Sequence, residues 1–441
     1  MSAKKPSSET RPAKNTGCHL PRRKFIKQGM AAGVGAFLLK DLARVRQEFQ
    51  EATQKVVAAS SEKEFAVLAE QYSLDPQINY LNHASIGAIP RPVQAARQKY
   101  LELCETNPWL YMWGGGWDEL REDVRQQCAE FLGAKASQVA VNHNTTEAFN
   151  LLAGGLPLTE GDEVLFSSLC HAGASLPFEH YSKMKGYKFR RFDFPLDKLP
   201  SLSKSDVIEA YREQIRPETK CVVIPHVDNT VGVRYPVAEL ATMARSEGVD
   251  WVAVDSAQTV GMLPVDFESL NVDMLATSPH KWLGAPKGLG LTVVGERLQK
   301  VLQPIWVTWG QQRWPESARK FEDYGTRNLA ELLTLGDAVK FVSAISGSDR
   351  ENRLKELWMF TKELVGNTAG LSWNSPDNWE MGASLYSIRV SQPASELAQK
   401  LFQDNGFVLR PFTNLGLNNL RVSPNIYSSK AQIEKLVSLI S

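Results

Sequence analysis

From position 138 onward the chain switches repeatedly between two hydrophobic periods, and this alternation constrains its fold more than any other feature. Short apolar runs (QVAVN, EVLFSS, KFRRFDF, CVVIPHV, WVAVDS, VDMLATS and LGLTVV) have the length and composition of strands. Between them lie segments such as TTEAFNLLAGGL and VAELATMARSEG, whose apolar residues recur at helical spacing before a glycine stop. Strands that alternate with helices pair mostly in parallel, so the seven runs predict an α/β fold with a mostly parallel seven-stranded sheet covered on both faces. After about position 328 the pattern changes. A long helix-like stretch over 330–364 leads to short strands in SLYSIRV, GFVLRP and NLRVS and a final helix in SKAQIEKLVSLI, which reads as a smaller α+β domain. A chain of 441 residues has room for both.

Charge excludes one class of partner. Fifty basic residues against 49 acidic ones leave a net charge of +1, which gives no footprint for nucleic acid. The cysteines (Cys18, Cys104, Cys128, Cys170, Cys221) are odd in number and show no CxxC spacing, so neither a metal site nor a disulfide framework follows. The first 60 residues stand apart from the fold. PRRKFIKQGMAAGVGAFLL, with paired arginines before a mildly apolar run, resembles a bacterial twin-arginine export signal, although Pro21 stands where Ser or Thr is usual. The run is too short to span a membrane as a helix. The resemblance implies a periplasmic or exported protein, with membrane contact only through that signal or an uncleaved anchor. The alternative is a basic tail and a surface helix on a cytoplasmic protein.

In open parallel sheets, ligands bind beyond the carboxyl ends of the strands. Thr145 and Thr146 follow QVAVN and open a helix, where two hydroxyls and free backbone N–H groups form an anion cradle. Asn144 and Glu147 there also read as a plain capping box. His171 follows EVLFSS, and Asn229 follows CVVIPHV in what could equally be a turn. Asp255 closes WVAVD, a poor place for an unpaired carboxylate. Lys281 follows the next strand, in SPHKWLGAPKGLG. There the small residues would let a flat ligand approach the backbone. A half-buried lysine in such a turn tends toward a lowered pKa and a nucleophilic role.

The set NTTEAFN, HAGASLPFE, HVDNTVG, VDSAQ, SPHKWLGAPKGLG, YGTRN and LRVSPNIY, in this order, resembles the class V aminotransferase family of fold-type I pyridoxal-phosphate enzymes. YLNHASIGAIP is similar to its isopenicillin N epimerase-like branch. The resemblance implies pyridoxal 5'-phosphate as cofactor, bound covalently by Lys281 as a Schiff base, with Asp255 on the pyridine nitrogen and His171 stacked on the ring. It further implies Asn229 and Gln258 at the ring hydroxyl. Thr145, Thr146, Ser278 and His280 would hold the phosphate, with Gly325 and Thr326 supplied by the partner subunit of a homodimer. Arg421 would clamp the α-carboxylate of an amino-acid-like substrate, a task suited to a guanidinium fork, with Asn82 and Ala84 along the substrate channel. No metal is implied. The resemblance divides the chain into a signal segment (1–45), an N-terminal segment packing with the small domain (60–100), a large cofactor-binding domain (101–328) and the small C-terminal domain (329–441). Two departures stand out: Cys170 where the family often has an acid, and Ser256 in place of a glycine.

Desulfurases of this family use a cysteine on the loop before the carboxylate-binding arginine. Here that loop is LRPFTNLGLNNLRVS, and no cysteine follows Cys221, so that mechanism is not expected. Epimerisation or transamination at Cα of an amino acid or small peptide-like substrate is the expectation, with C–S or C–N lyase chemistry as the alternative. A non-enzymatic alternative is an exported scaffold that has kept the fold without the chemistry.

Overall fold

A computed structural model of the chain describes residues 44, 47–51, 53 and 62–441. The twin-arginine-type segment, Arg44 apart, lies outside the described residues. The chain divides into two compact units, 1–48 and 49–441. In the first, Arg44 and Glu48 pair at 2.9 Å one helical turn apart. Everything that follows concerns the second.

Among the described residues thirteen strands run in chain order: β1 (Asn79–Tyr80), β2 (Val139–Asn142), β3 (Glu163–Ser167), β4 (Lys188–Phe192), β5 (Thr219–Pro225), β6 (Trp251–Asp255), β7 (Met274–Thr277), β8 (Gly290–Val294), β9 (Ser372–Trp373), β10 (Tyr386–Arg389), β11 (Phe407–Val408), β12 (Arg410–Phe412) and β13 (Asn419–Val422). Seven of them form one sheet in the order β2-β8-β7-β6-β5-β3-β4. Every neighbouring pair from β4 to β7 is parallel. β8 is the exception and runs antiparallel to both β2 and β7. The reason is local: 278–289 joins β7 to β8 without a helix, and a parallel return needs a crossover, usually a helix. The interior strands β3, β7 and β8, and the edge strand β2, are buried along their whole length. β4 is an edge, and its exposed Lys188 and Arg191 discourage pairing with another chain.

The helices used below are α1 (Asp118–Leu132), α2 (Thr145–Gly155), α3 (Ala172–Lys185), α4 (Leu329–Ser343) and α5 (Gly347–Gly366). Phe149, Leu152, Phe166, Phe178 and Val223 belong to the core where α2 and α3 cover the sheet. The stretch 330–364, expected as one helix, is two. Ser346 interrupts it by accepting the Asp349 N–H at 3.1 Å, and so caps a new helix rather than continuing the old one.

The remaining strands form a separate, smaller antiparallel sheet in the order β12-β13-β10-β9. β11 instead pairs in parallel with β1, Asn79 opposite Phe407 and Tyr80 opposite Val408, and Asn82 bridges to Ser423. The segment after β1 is thereby tied to the C-terminal strands. Among the described residues no helix is long and apolar enough to cross a membrane, and no cluster of His, Cys, Asp or Glu could hold a metal ion.

Candidate active site

The loops that leave β2, β3, β5, β6 and β7 enclose a cavity of ≈ 280 Å³. Nine residues singled out in the sequence line it: Thr145, Thr146, His171, Asn229, Asp255, Gln258, Ser278, His280 and Lys281. Five strand ends supply them, so residues spread over 137 positions face one another only because the sheet is mostly parallel.

The cradle is built first. Asn144 caps α2, its side chain accepting the Glu147 N–H at 2.9 Å. The reciprocal half of the expected capping box is missing, because Glu147 accepts instead from the His143 N–H and lies 2.6 Å from its ring Nδ1. The Thr145 N–H donates to Ser278 Oγ at 3.0 Å, and the two hydroxyls lie 2.8 Å apart. α2 begins against β8 because Gly290 has no side chain; a Cβ there would sit 2.6 Å from the Asn144 nitrogen. The start of the helix and the loop after β7 thus form one polar surface suited to an anion.

Asp255 ends β6 and is buried, one carboxylate oxygen accepting the Ala257 N–H at 3.0 Å. Lys281 shares the cavity with it. Burial lowers the lysine pKa to about 8; Asp255 opposes that fall and Arg421 adds to it. Burial likewise brings His280 to about 4, with Lys281 and Lys287 pushing the same way, so its ring is neutral. His280 Nδ1 is buried with no protein partner. His171 caps α3, its Nδ1 accepting the Gly173 N–H at 3.0 Å. Its ring is lowered by burial, raised by Asp255 and lowered again by Lys281, Arg421 and Arg410. The two ends of the Gln258 carboxamide are occupied, Oε1 by Trp282 Nε1 and Nε2 by the Ala84 carbonyl, both at 2.9 Å, which leaves one N–H for a ligand.

The turn around Lys281 is closely approached by protein backbone. Gly87 donates its N–H to the His280 carbonyl at 2.8 Å and accepts from Lys287 Nζ at 3.1 Å. A Cβ on Gly87 would lie 2.8 Å from the Lys281 carbonyl carbon. Gly284 and Gly288 take positive φ (67° and 88°) and shape the turn itself.

Arg421, Asn82 and Ala84 do not themselves line the cavity but are bonded to residues that do. Arg421 Nη1 donates to the Asn229 carbonyl at 2.7 Å, and Nη2 to Asn82 Oδ1 at 2.8 Å and Ser85 Oγ at 2.7 Å. Asn229 and Ser85 are themselves lining residues, and Arg421 Nε is buried without a partner. Gly325 and Thr326 are exposed and do not line the cavity. Cys170 is buried, its thiol donating to the Val223 carbonyl at 3.5 Å, and burial pushes it up to about 12. Sequence reading missed Ser85, although it lies in the quoted YLNHASIGAIP, because its link to Arg421 spans 336 positions. It also missed Asp228. That buried carboxylate accepts from the N–H groups of Thr230, Val231 and Val233 (2.7, 2.8 and 2.6 Å) and so shapes the turn that presents Asn229.

A lysine able to shed its proton, a buried carboxylate, an amide-and-hydroxyl cradle and an unpartnered imidazole nitrogen suit a cofactor with an aldehyde, a ring nitrogen and a phosphate. The comparisons agree. The family model Aminotransferase class-V matches residues 79–436. Isopenicillin N epimerase of Amycolatopsis lactamdurans is 29% identical over 84% of this chain and 96% of its own. A probable cysteine desulfurase of Aeropyrum pernix is 30% identical over 68% and 75%. Among solved structures, the apo cysteine desulfurase of Thermococcus onnurineus NA1 has a TM-score of 0.73 at 23% identity, over 85% of this chain and 96% of the other. A variant of C-DES with glycine covalently linked to its PLP cofactor has a TM-score of 0.76 at 19% identity, over 84% and 98%. The chain belongs to the class V aminotransferases, fold-type I enzymes that work with pyridoxal 5'-phosphate.

Proposed function

We propose that this enzyme acts at Cα of an amino acid or small peptide-like substrate, by epimerisation or transamination. The observation that carries the proposal is the pair in the cavity: Lys281, lowered to about 8, with the buried carboxylate of Asp255. In this reading Lys281 would bond to the cofactor, Asp255 would serve its ring nitrogen, and His171 would pack on the ring. Asn229 and the remaining Gln258 N–H would serve the ring hydroxyl. Thr145, Thr146, Ser278 and His280 would take the phosphate. Bound pyridoxal phosphate supplies an electron sink that acidifies the Cα–H bond. The protein does the rest. The Arg421 guanidinium holds the α-carboxylate, with Asn82 and Ser85 fixing its plane. The Lys281 amine, once free, takes the Cα proton and can return it.

Relatives include both epimerases and desulfurases. Against persulfide chemistry stand the cysteine-free sequence beyond position 221 and the burial of Cys104, Cys128, Cys170 and Cys221. The deciding experiment incubates the loaded enzyme with single amino acids in D2O and no keto acid. Deuterium at Cα with loss of chirality supports epimerisation. Stoichiometric keto acid supports transamination. Catalytic release of ammonia with sulfide or an unsaturated product would replace both with a lyase. No change in any amino acid would overturn the proposal.

A further inference from the structure

Arg421 does not stand alone. In the β12–β13 ladder Arg410 is its direct partner across the strands. Side chains alternate along a strand, so Arg410, Phe412 and Arg421 project from one face of the small sheet. The ring of Phe412 lies beneath both guanidiniums, 6.0 Å from Arg410 and 5.4 Å from Arg421. Like charges set directly opposite destabilise a ladder. A carboxylate between them would remove that penalty. Among the described residues the Arg410 guanidinium has no carboxylate and no hydrogen-bond partner, and it lies over the ring of Phe412. Arg421 is 2% exposed and its Nε is unpartnered. The positive charge of Arg410 reaches both Arg421 and His171, which places it within electrostatic range of the cavity. Arg410 is exposed and Arg421 buried, so the two charges lie at different depths on this face.

We propose that Arg410 and Arg421 form a two-arginine subsite for a dicarboxylic substrate, Arg421 taking the α-carboxylate and Arg410 a second carboxylate at the far end of the side chain. This rests on the reading of Arg421 given above and adds the substrate class to it. A neutral side chain would leave Arg410 facing Arg421 uncompensated. An anionic one makes a charge-assisted pair with it and screens the repulsion.

The test compares L-glutamate and L-α-aminoadipate with L-glutamine and L-norleucine, using the loaded enzyme and Cα deuteration as the rate. In Arg410→Ala, KM for the dicarboxylic substrates rises by about tenfold or more while kcat stays within about twofold and the neutral substrates are unaffected; a tenfold change is what one modest charge-assisted pair gives. Arg410→Lys keeps most of the preference. As a readout independent of turnover, calorimetry with glutarate and with its monoamide shows tighter binding of the diacid, lost in Arg410→Ala and weakened by salt. Equal KM ratios in wild type and Arg410→Ala, or equal binding of glutarate and its monoamide, overturns the subsite. If neutral amino acids exchange as readily as dicarboxylic ones, the subsite falls and the reaction class stands. If no amino acid exchanges and borohydride leaves Lys281 unlabelled, both fall.

Discussion

A lysine that titrates at about 8 rather than 10.5 is a different reagent. At pH 7 about a tenth of it is neutral, against a few parts in ten thousand for an ordinary one. Capture of pyridoxal phosphate by the cofactor-free protein therefore speeds up with pH, by about tenfold per unit below 8, and levels off above it; stopped-flow absorbance follows this directly. A rise that continues to pH 10 would mean that burial does not lower this amine. Lys281→Ala removes covalent capture altogether, seen as loss of borohydride-fixed label. Asp255→Asn keeps the fold and the Ala257 contact but removes the charge that the ring nitrogen needs, and slows Cα exchange by about a hundredfold or more, the scale on which one preorganised electrostatic partner acts. These roles were readable because each residue closes a strand or opens a helix, where local pattern and chemistry coincide. Ser85 and Arg410 were not. Ser85 meets Arg421 across 336 positions, and no local pattern records a partner so far away. Arg410 lies only a hairpin from Arg421, but the register that sets the two opposite each other is not written in the apolar pattern.

Two elements show how such pairings complete a site that the strands only begin. The parallel strands and their helices follow from periodicity, but the reversal of β8 does not, since its apolar run reads alike in either direction. Nor was the break at Ser346 legible inside a helical pattern, where one side-chain hydrogen bond decided it. The segment after β1 is the clearer case. It carries Asn82 and Ser85 to Arg421, and its position depends on Gly87 lying flat on the backbone of His280 and Lys281. Gly87→Ala forces a methyl group into the Lys281 carbonyl. Backbone cannot yield as a flexible side chain would, so the segment lifts. The expected loss is about 1–3 kcal/mol, the range for overpacking, read from the urea midpoint. KM for substrate rises as the supports of Arg421 move away. An unchanged midpoint and KM would show that the segment is not pinned there.

At the scale of the molecule, one buried pair and one exposed loop matter most. Arg125 on α1 meets Glu322 at 2.7 Å with both side chains buried, and they also bind the backbone of edge strand β2 through the Val139 carbonyl and the Val141 N–H. Burial alone would raise the Glu322 pKa, but Arg125 outweighs it and holds it at about 2. The folded pKa lies below the unfolded value of about 4.3, so the unfolded chain takes the proton first. The stability this pair confers is complete above pH ~4.3 and falls away as pH drops toward 2. Glu322→Gln leaves the buried arginine with only the half-exposed Glu122, at 3.2 Å, as a charged partner, and lowers unfolding free energy by about 2–3 kcal/mol, below the cost of a wholly unpaired buried charge, in a denaturant titration at pH 7. The loop is the 305–328 stretch, anchored beside the cradle by Trp306 Nε1 donating to Glu147 at 3.0 Å. It exposes Trp306, Val307 and Trp309 as well as Gly325 and Thr326. Apolar residues left bare beside a cavity favour burial by a second copy, and in a two-fold dimer each loop would reach the other subunit's site. Complementation separates this from a loop that serves its own subunit. Lys281→Ala lacks the amine but keeps the loop; Thr326→Asp keeps the amine but sets a negative charge against the phosphate. Each is inactive alone. If loops are exchanged, a mixed dimer contains one site with both an intact Lys281 and an intact Thr326. Unfolding and refolding the two variants together, with half the dimers mixed, then restores about a quarter of the wild-type sites. If each loop serves its own chain, no site in the mixture is whole, and activity stays at the level of the separate variants.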